Sequence, residues 1–168
     1  MDFAALIYHR QAFLDGQWWL PLTAQWAHFS ATHALANAAG AVLLGVLFRS
    51  WLRPPQQALA WGGGVLGVAV VLILDTQCSY YAGASGALHG WAAGGALWAA
   101  LDVPKKQGHQ ARWAWALLLG IAVKLVWQLI YPPQTQDWGF PVYQPAHWAG
   151  AAGGIAGVLL WRSARALR

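Results

Sequence analysis

The chain has 168 residues, 58% of them hydrophobic and only 9% charged. A soluble domain carries about a quarter charged residues, and here the apolar residues fall in blocks near the roughly 20 residues needed to span a bilayer, so a water-soluble globular fold is excluded. The net charge of +5 is split between the two ends of those blocks and forms no phosphate-binding stripe, so the expected partner is the lipid bilayer and not nucleic acid.

Only helices or closed barrels satisfy their backbone in lipid, and nothing in the chain reads as alternating strands. The predicted fold is therefore an all-α polytopic membrane protein, a single domain over 1–168 with five transmembrane helices. At the N-terminus, Phe3 to Tyr8 is too short for the apolar core of a cleavable signal peptide. Trp18, Trp19 and Trp26 follow, placed as interfacial anchors. The first span is predicted at about 28–48. It holds His33 and Asn37, which at i, i+4 share one helix face. Arg49 and Arg53 end it. The second span, about 58–74, contains Gly62-Gly63-Gly64, small residues that let helices approach closely in lipid.

Asp75 and Cys78 lie in the next loop. Cys78 is the sole cysteine and cannot make an internal disulfide. The third span, about 82–101, opens on Gly83-Ala84-Ser85-Gly86-Ala87-Leu88-His89-Gly90, with Ser85 and His89 again at i, i+4. Lys105, Lys106 and Arg112 separate it from the fourth span, about 113–131. The loop 132–141 carries Asp137. The fifth span, about 142–161, begins near His147, runs through Gly150-Ala151-Ala152-Gly153-Gly154, and ends in Arg162, Arg165 and Arg168.

Basic residues thus gather at one end of the spans. Asp15, Asp75 and Asp137 gather at the other, with Arg10 the only firm basic residue there. By the positive-inside rule the C-terminus is cytoplasmic and the 75–81 and 132–141 loops are outside. Five spans then leave Met1 outside, either because the short N-terminus is translocated or because a first helix is missing upstream of it.

Ionisable groups at membrane depth are rare and usually functional. His9, His28, His33, His89 and His147 map to the outer side, and only His109 to the inner. Ser85, His147 and the His33/Asn37 pair lie within about two turns of one another in depth. A serine is a weak nucleophile until a base takes its proton, and imidazole has a pKa suited to that task. No Asp or Glu lies in a span, so a Ser85–His147 dyad is expected and not a triad. His33, Asn37 and the Ser85 backbone N–H are the candidate donors to an oxyanion. Gly83 and Gly86 allow close backbone approach, and His89 is placed to stack on or bond His147. Each part has a plainer reading: Gly-x-Ser-Gly as a packing face, a histidine as a proton relay, the His/Asn pair as a tie between helices. The combination at one depth points to peptide-bond cleavage within the membrane. A haem or metal protein is disfavoured, since neither His-Glu-x-x-His nor Cys-x-x-Cys is present, and no cofactor is expected. A Cys78 nucleophile would lie in a loop outside any motif.

These residues resemble the rhomboid family of intramembrane serine proteases. Gly16-Gln17-Trp18-Trp19, Thr23, His28-Phe29-Ser30, His33 and Asn37 resemble its first loop and second helix. Gly83-Ala84-Ser85-Gly86 resembles its Gly-x-Ser-Gly motif, and Ala146-His147 with Gly150 and Gly154 its final helix. The similarity covers about residues 10–160, with the motifs in family order. Ser85-Gly86-Ala87-Leu88-His89-Gly90, Tyr8-His9-Arg10 and Val123-Lys124-Leu125 resemble the rhombosortase subfamily of Gram-negative bacteria more narrowly. The resemblance implies Ser85 as nucleophile, His147 as base, and His33, Asn37 and the Ser85 amide as the oxyanion hole, with His28 in a loop or water network. It implies an inner-membrane enzyme whose site faces the periplasm. Its substrates would be membrane-anchored secreted proteins with a C-terminal tail of a Gly-Gly motif, one transmembrane helix and basic residues (GlyGly-CTERM processing), cleaved by water or transferred to another acceptor. The chain departs from the pattern where the first rhomboid helix is absent, at Leu20 where arginine is common, and at Gln128 and Pro145 where an acid is expected. The Gln128 departure leaves Lys124 to find another partner or to snorkel. The competing reading is a non-catalytic rhomboid-like protein that binds membrane helices, which has no need of Ser85 or His147.

Overall fold

The computed structural model describes residues 3–102, 108–133 and 135–167. Met1, Lys105, Lys106 and Arg168 lie outside the described residues, as does the side chain of Asp137. Five long helices stand near the five expected spans: α3 (Ala31–Phe48), α4 (Pro54–Leu74), α5 (Ser85–Asp102), α6 (Gly108–Ile130) and α8 (Pro145–Ala166). Three short helices, α1 (Arg10–Leu14), α2 (Leu20–Thr23) and α7 (Thr135–Trp138), fill the connections. Local chemistry sets the starts. The Ser30 hydroxyl accepts the His33 N–H at 3.1 Å as the cap of α3. Pro54 and Pro145 stand at first helical positions, where a missing N–H costs nothing.

By length and composition α3, α4 and α6 are long and apolar enough to cross a membrane. The sequence of α5 is less apolar because it carries Ser85, His89 and many glycines and alanines, and α8 because it carries His147, Arg162 and Arg165. Their composition follows their place. α5 is central and touches α3, α4, α6 and α8, and it buries Ala87, Ala92, Ala93, Ala96, Trp98 and Ala99. The large apolar side chains of the outer helices, such as Val42, Leu66, Leu119 and Val126, point outward.

Backbone contact between glycines fixes the directions. A Cβ at Gly150 would strike the Gly86 carbonyl, and one at Gly94 would lie 2.6 Å from the Gly154 carbonyl oxygen, so α5 and α8 run parallel. Gly64 abuts Ala87 and Gly90, while Ala60 abuts Gly94, so α4 is antiparallel to α5. α3 runs with α5, Gly40 facing Leu88 and Gly45 facing Trp91. α6 opposes α5: Lys124 reaches His89 near the start of α5, and Ala114 joins Ala96 and Ala99 toward its end. Arg49, Arg53, Arg112, Arg162 and Arg165 therefore collect at one end of the bundle, and Asp75 and the Ser85 end of α5 at the other.

That second end carries a feature absent from the sequence reading, which foresaw no strands. Tyr8 and His9 (β1) pair antiparallel with Tyr80 and Tyr81 (β2), continued by the Arg10 N–H to the Ser79 carbonyl at 3.0 Å. Tyr8 is fully buried and donates to the Leu72 carbonyl at 2.8 Å. The Arg10 guanidinium donates to the Asp75 carbonyl at 2.9 Å. Together they satisfy carbonyls that the end of α4 leaves without intrahelical partners, with a cation at the negative end of its dipole. Tyr143, before α8, donates to the Asp75 carboxylate at 2.5 Å.

Candidate active site

Ser85 is the first residue of α5 and is half-buried. The turn before it is fixed at Gly83, whose φ of +125° suits glycine. The Gly83 N–H donates to the Ala24 carbonyl at 3.0 Å, and the Tyr81 hydroxyl donates to the Gly83 carbonyl at 2.8 Å. A Cβ at Gly83 would also lie 2.7 Å from the His33 ring. The missing side chain thus permits the turn and lets His33 lie against it.

The parallel course of α5 and α8, set by the Gly86–Gly150 contact, brings their first turns level. His147, buried near the start of α8, places Nε2 3.0 Å from Ser85 Oγ. Its Nδ1 meets the side-chain carbonyl oxygens of Gln128 at 3.2 Å and Gln144 at 3.1 Å. The His89 ring lies against His147 with centroids 4.3 Å apart and planes 19° from parallel. Lys124 Nζ stands 2.8 Å from His89 Nε2. An ammonium only donates, so His89 Nε2 accepts, and the ring proton sits on Nδ1, which donates to the Ser85 carbonyl at 2.7 Å. Of the two outcomes open to Lys124, it takes a partner in the bundle. Gln128 serves His147 and not the lysine.

His33 and Asn37 are both buried. Asn37 Nδ2 donates to the His33 carbonyl at 3.0 Å, which leaves its second N–H for another acceptor. Phe140 covers the His33 ring at 4.7 Å between centroids, and His28 meets it edge-on at 5.0 Å. Ser85, His147, His89, Lys124, His33 and Asn37 all line one cavity of about 540 Å³. Its other walls are largely apolar, with Leu44, Leu88 and Ile121 from three helices, and Trp138 and Phe140 at the outer end.

Two residues stand apart. His28 is not among the cavity's lining and meets only the edge of the site through the His33 ring. Cys78 is buried with its thiol against the Tyr80 carbonyl, and burial, reinforced by Asp75, pushes the thiol up to about 11. It is a poor nucleophile at neutral pH. Among the described residues no three His, Cys, Asp or Glu side chains cluster as metal ligands would.

The sequence reading had no place for Gln144, Phe140 or the Tyr143–Asp75 bond. Gln144 lies three residues before His147, a spacing that puts both on one face of a helical turn. Phe140 carried no signal, because its place over the His33 ring depends on the path of the chain before α8.

A hydroxyl facing an imidazole nitrogen at 3.0 Å, at a helix N-terminus whose N–H groups lack intrahelical partners, beside an apolar cavity, can perform acyl transfer. The family model for the Rhomboid domain matches residues 15–163. No curated protein and no solved structure matches the chain.

Proposed function

The chain belongs to the rhomboid family, whose Rhomboid domain it matches over residues 15–163, and from that premise we propose that it is an active intramembrane serine endopeptidase working through a Ser85–His147 dyad. The observation that carries the reading is the 3.0 Å separation of Ser85 Oγ and His147 Nε2 in the wall of the cavity. Rhomboid proteases act on membrane-protein substrates within the bilayer, and this chain is a multi-pass membrane protein of that family. The five long helices are read as five spans of one domain.

In the proposed reaction, His147 Nε2 takes the Ser85 proton as Oγ bonds to the scissile carbonyl carbon. The oxyanion is held by the Ser85 N–H, the free N–H of Asn37 and the His33 ring. As the intermediate collapses, the carbon–nitrogen bond breaks and His147 passes the proton to the leaving amine. Water, or the amine of another acceptor, then attacks the Ser85 ester with His147 again as base.

Within the family the chain is read as rhombosortase-like. Support comes from His89, four residues after the serine and stacked on His147, and from Tyr8-His9-Arg10, which ties the N-terminus to the loop before Ser85. The substrates would be secreted proteins anchored by a Gly-Gly motif and one C-terminal transmembrane helix. Glycine disfavours helix by about 1 kcal/mol relative to alanine, which helps that segment unwind at the dyad. Arg49, Arg53, Arg112, Arg162 and Arg165 at the far end of the bundle support a cytoplasmic location for that end, and with it a site at the periplasmic face of a bacterial inner membrane.

Labelling of the detergent-purified protein by a fluorophosphonate tests the reading without a known substrate. Wild type should label, and Ser85→Ala and His147→Ala should not. An unlabelled, folded wild type beside a reactive rhomboid control would favour a helix-binding protein without catalysis.

A further inference from the structure

His147 presents one ring nitrogen to Ser85 and the other to two amides. Gln128 reaches Nδ1 from α6 and Gln144 from the residue before α8, both with the side-chain carbonyl oxygen foremost, at 3.2 and 3.1 Å. A carbonyl oxygen only accepts, so two of them converging on Nδ1 require a proton there. The lone pair is then on Nε2, toward the Ser85 hydroxyl. Were the tautomer reversed, Nε2 would carry the proton and have nothing to take one with. The Gln144 amide nitrogen is buried with no partner, so the amide gives up a hydrogen bond at its other end while its oxygen faces the ring.

We infer that Gln128 and Gln144 are positioning residues that jointly fix the proton-accepting tautomer of His147, filling with two neutral amides the place a buried carboxylate fills in a Ser-His-Asp triad. The inference rests on the reading of His147 as the base. Amide oxygens accept the Nδ1–H without bringing a net charge to membrane depth, where an unpaired carboxylate is costly. When His147 takes the serine proton, both carbonyl dipoles still point at Nδ1–H and favour the imidazolium. The ring is held on a third side by the stacked, neutral His89.

The test uses the full chain in detergent, with ¹⁵N-labelled histidine and a fluorophosphonate probe. In wild type the His147 nitrogen shifts should report a proton on Nδ1. Gln128→Met with Gln144→Met keeps side-chain bulk but removes both acceptors. It should lose that tautomer preference and label about 100-fold more slowly, within the range for general-base catalysis. Restoring an acceptor by Gln144→Glu beside Gln128→Met should recover most of the rate. A wild-type proton on Nε2, or a double variant that keeps both the Nδ1–H signature and the wild-type labelling rate, overturns the inference. A wild type that never labels defeats the protease reading instead, and the nitrogen shifts still decide the tautomer.

Discussion

His89 and His147 lie face to face, ring centroids 4.3 Å apart, and their nitrogens bond different atoms of the same two helices. His89 bonds the Ser85 carbonyl and Lys124, and His147 bonds the Ser85 hydroxyl, Gln128 and Gln144. Both rings therefore hold the same serine, one by its main chain and one by its side chain. His89→Phe keeps the stack but loses the bonds to Ser85 and Lys124. Fluorophosphonate labelling of this variant should slow about 10-fold, less than the complete loss expected for His147→Ala. Labelling at the wild-type rate would show that the stack alone suffices.

Asn37 has one N–H on its own helix and one to offer. If the second meets the oxyanion, Asn37→Ala should slow cleavage about 100- to 1,000-fold without abolishing it, the usual cost of one such donor. The variant should fold normally, since the lost Asn37-to-His33 bond lies within α3. An unchanged rate on a membrane-anchored substrate removes Asn37 from the site.

Gly150 has no room for a side chain, because the Gly86 carbonyl occupies the place a Cβ would take. Gly150→Leu must push α8 from α5. A destabilisation of about 3 kcal/mol or more is expected, read as a lower midpoint of thermal unfolding in detergent. Labelling of Ser85 should disappear as well, since the displaced α8 carries His147. Unchanged stability would mean the two helices do not touch.

The Asp75 carboxyl is held below its usual range, first by the Tyr143 hydroxyl, then by the Gln77 N–H, with Arg10 adding to it. A carboxyl whose folded pKa is depressed stabilises the fold above the ordinary carboxylate pKa of roughly 4 and loses that contribution as pH falls through the lower, folded value. Thermal stability should therefore decline on acidification below about pH 4, and Tyr143→Phe should flatten that decline. Parallel pH profiles for the two proteins would exclude the Tyr143–Asp75 bond as the cause.

Cys78 is buried and its thiol is pushed up to about 11. Cys78→Ser should leave labelling at Ser85 within about twofold, and the native thiol should react slowly with iodoacetamide. Loss of activity in a folded Cys78→Ser protein would reopen the thiol as a participant.

Much of this architecture was readable from residue types. The apolar blocks marked where the five long helices lie, with ends that differ by up to five residues, as at the start of α6 and the end of α8. Ser85, His147, His33 and Asn37 stood out because polar groups at that depth are uncommon. What the sequence left open was lateral arrangement. The seam that sets Ser85 beside His147 is made of residues without side chains, and glycines in a span read the same whether they face a helix or lipid. The partnership of Gln128 with His147 was hidden for a related reason. An acid is expected at its position, so the sequence leaves Lys124 without a partner along α6, and how α6 packs against its neighbours decides that Lys124 meets His89 and Gln128 meets His147. The pairing of Tyr8 with Tyr81 is too short to leave a period.

The contact of Gly86 with Gly150 makes the spacing of the two helices that carry Ser85 and His147 a property of main chain. In the proposed reading, a substrate's side chains would meet other residues of the cavity wall, among them Leu88, Ile121, Trp138 and Phe140. Sequence drift or a laboratory library can therefore rewrite the cavity wall while the chemical step stays untouched. The preferred cleavage sequence should be easy to retune, and the glycines at 86, 90, 150 and 154 should tolerate almost nothing.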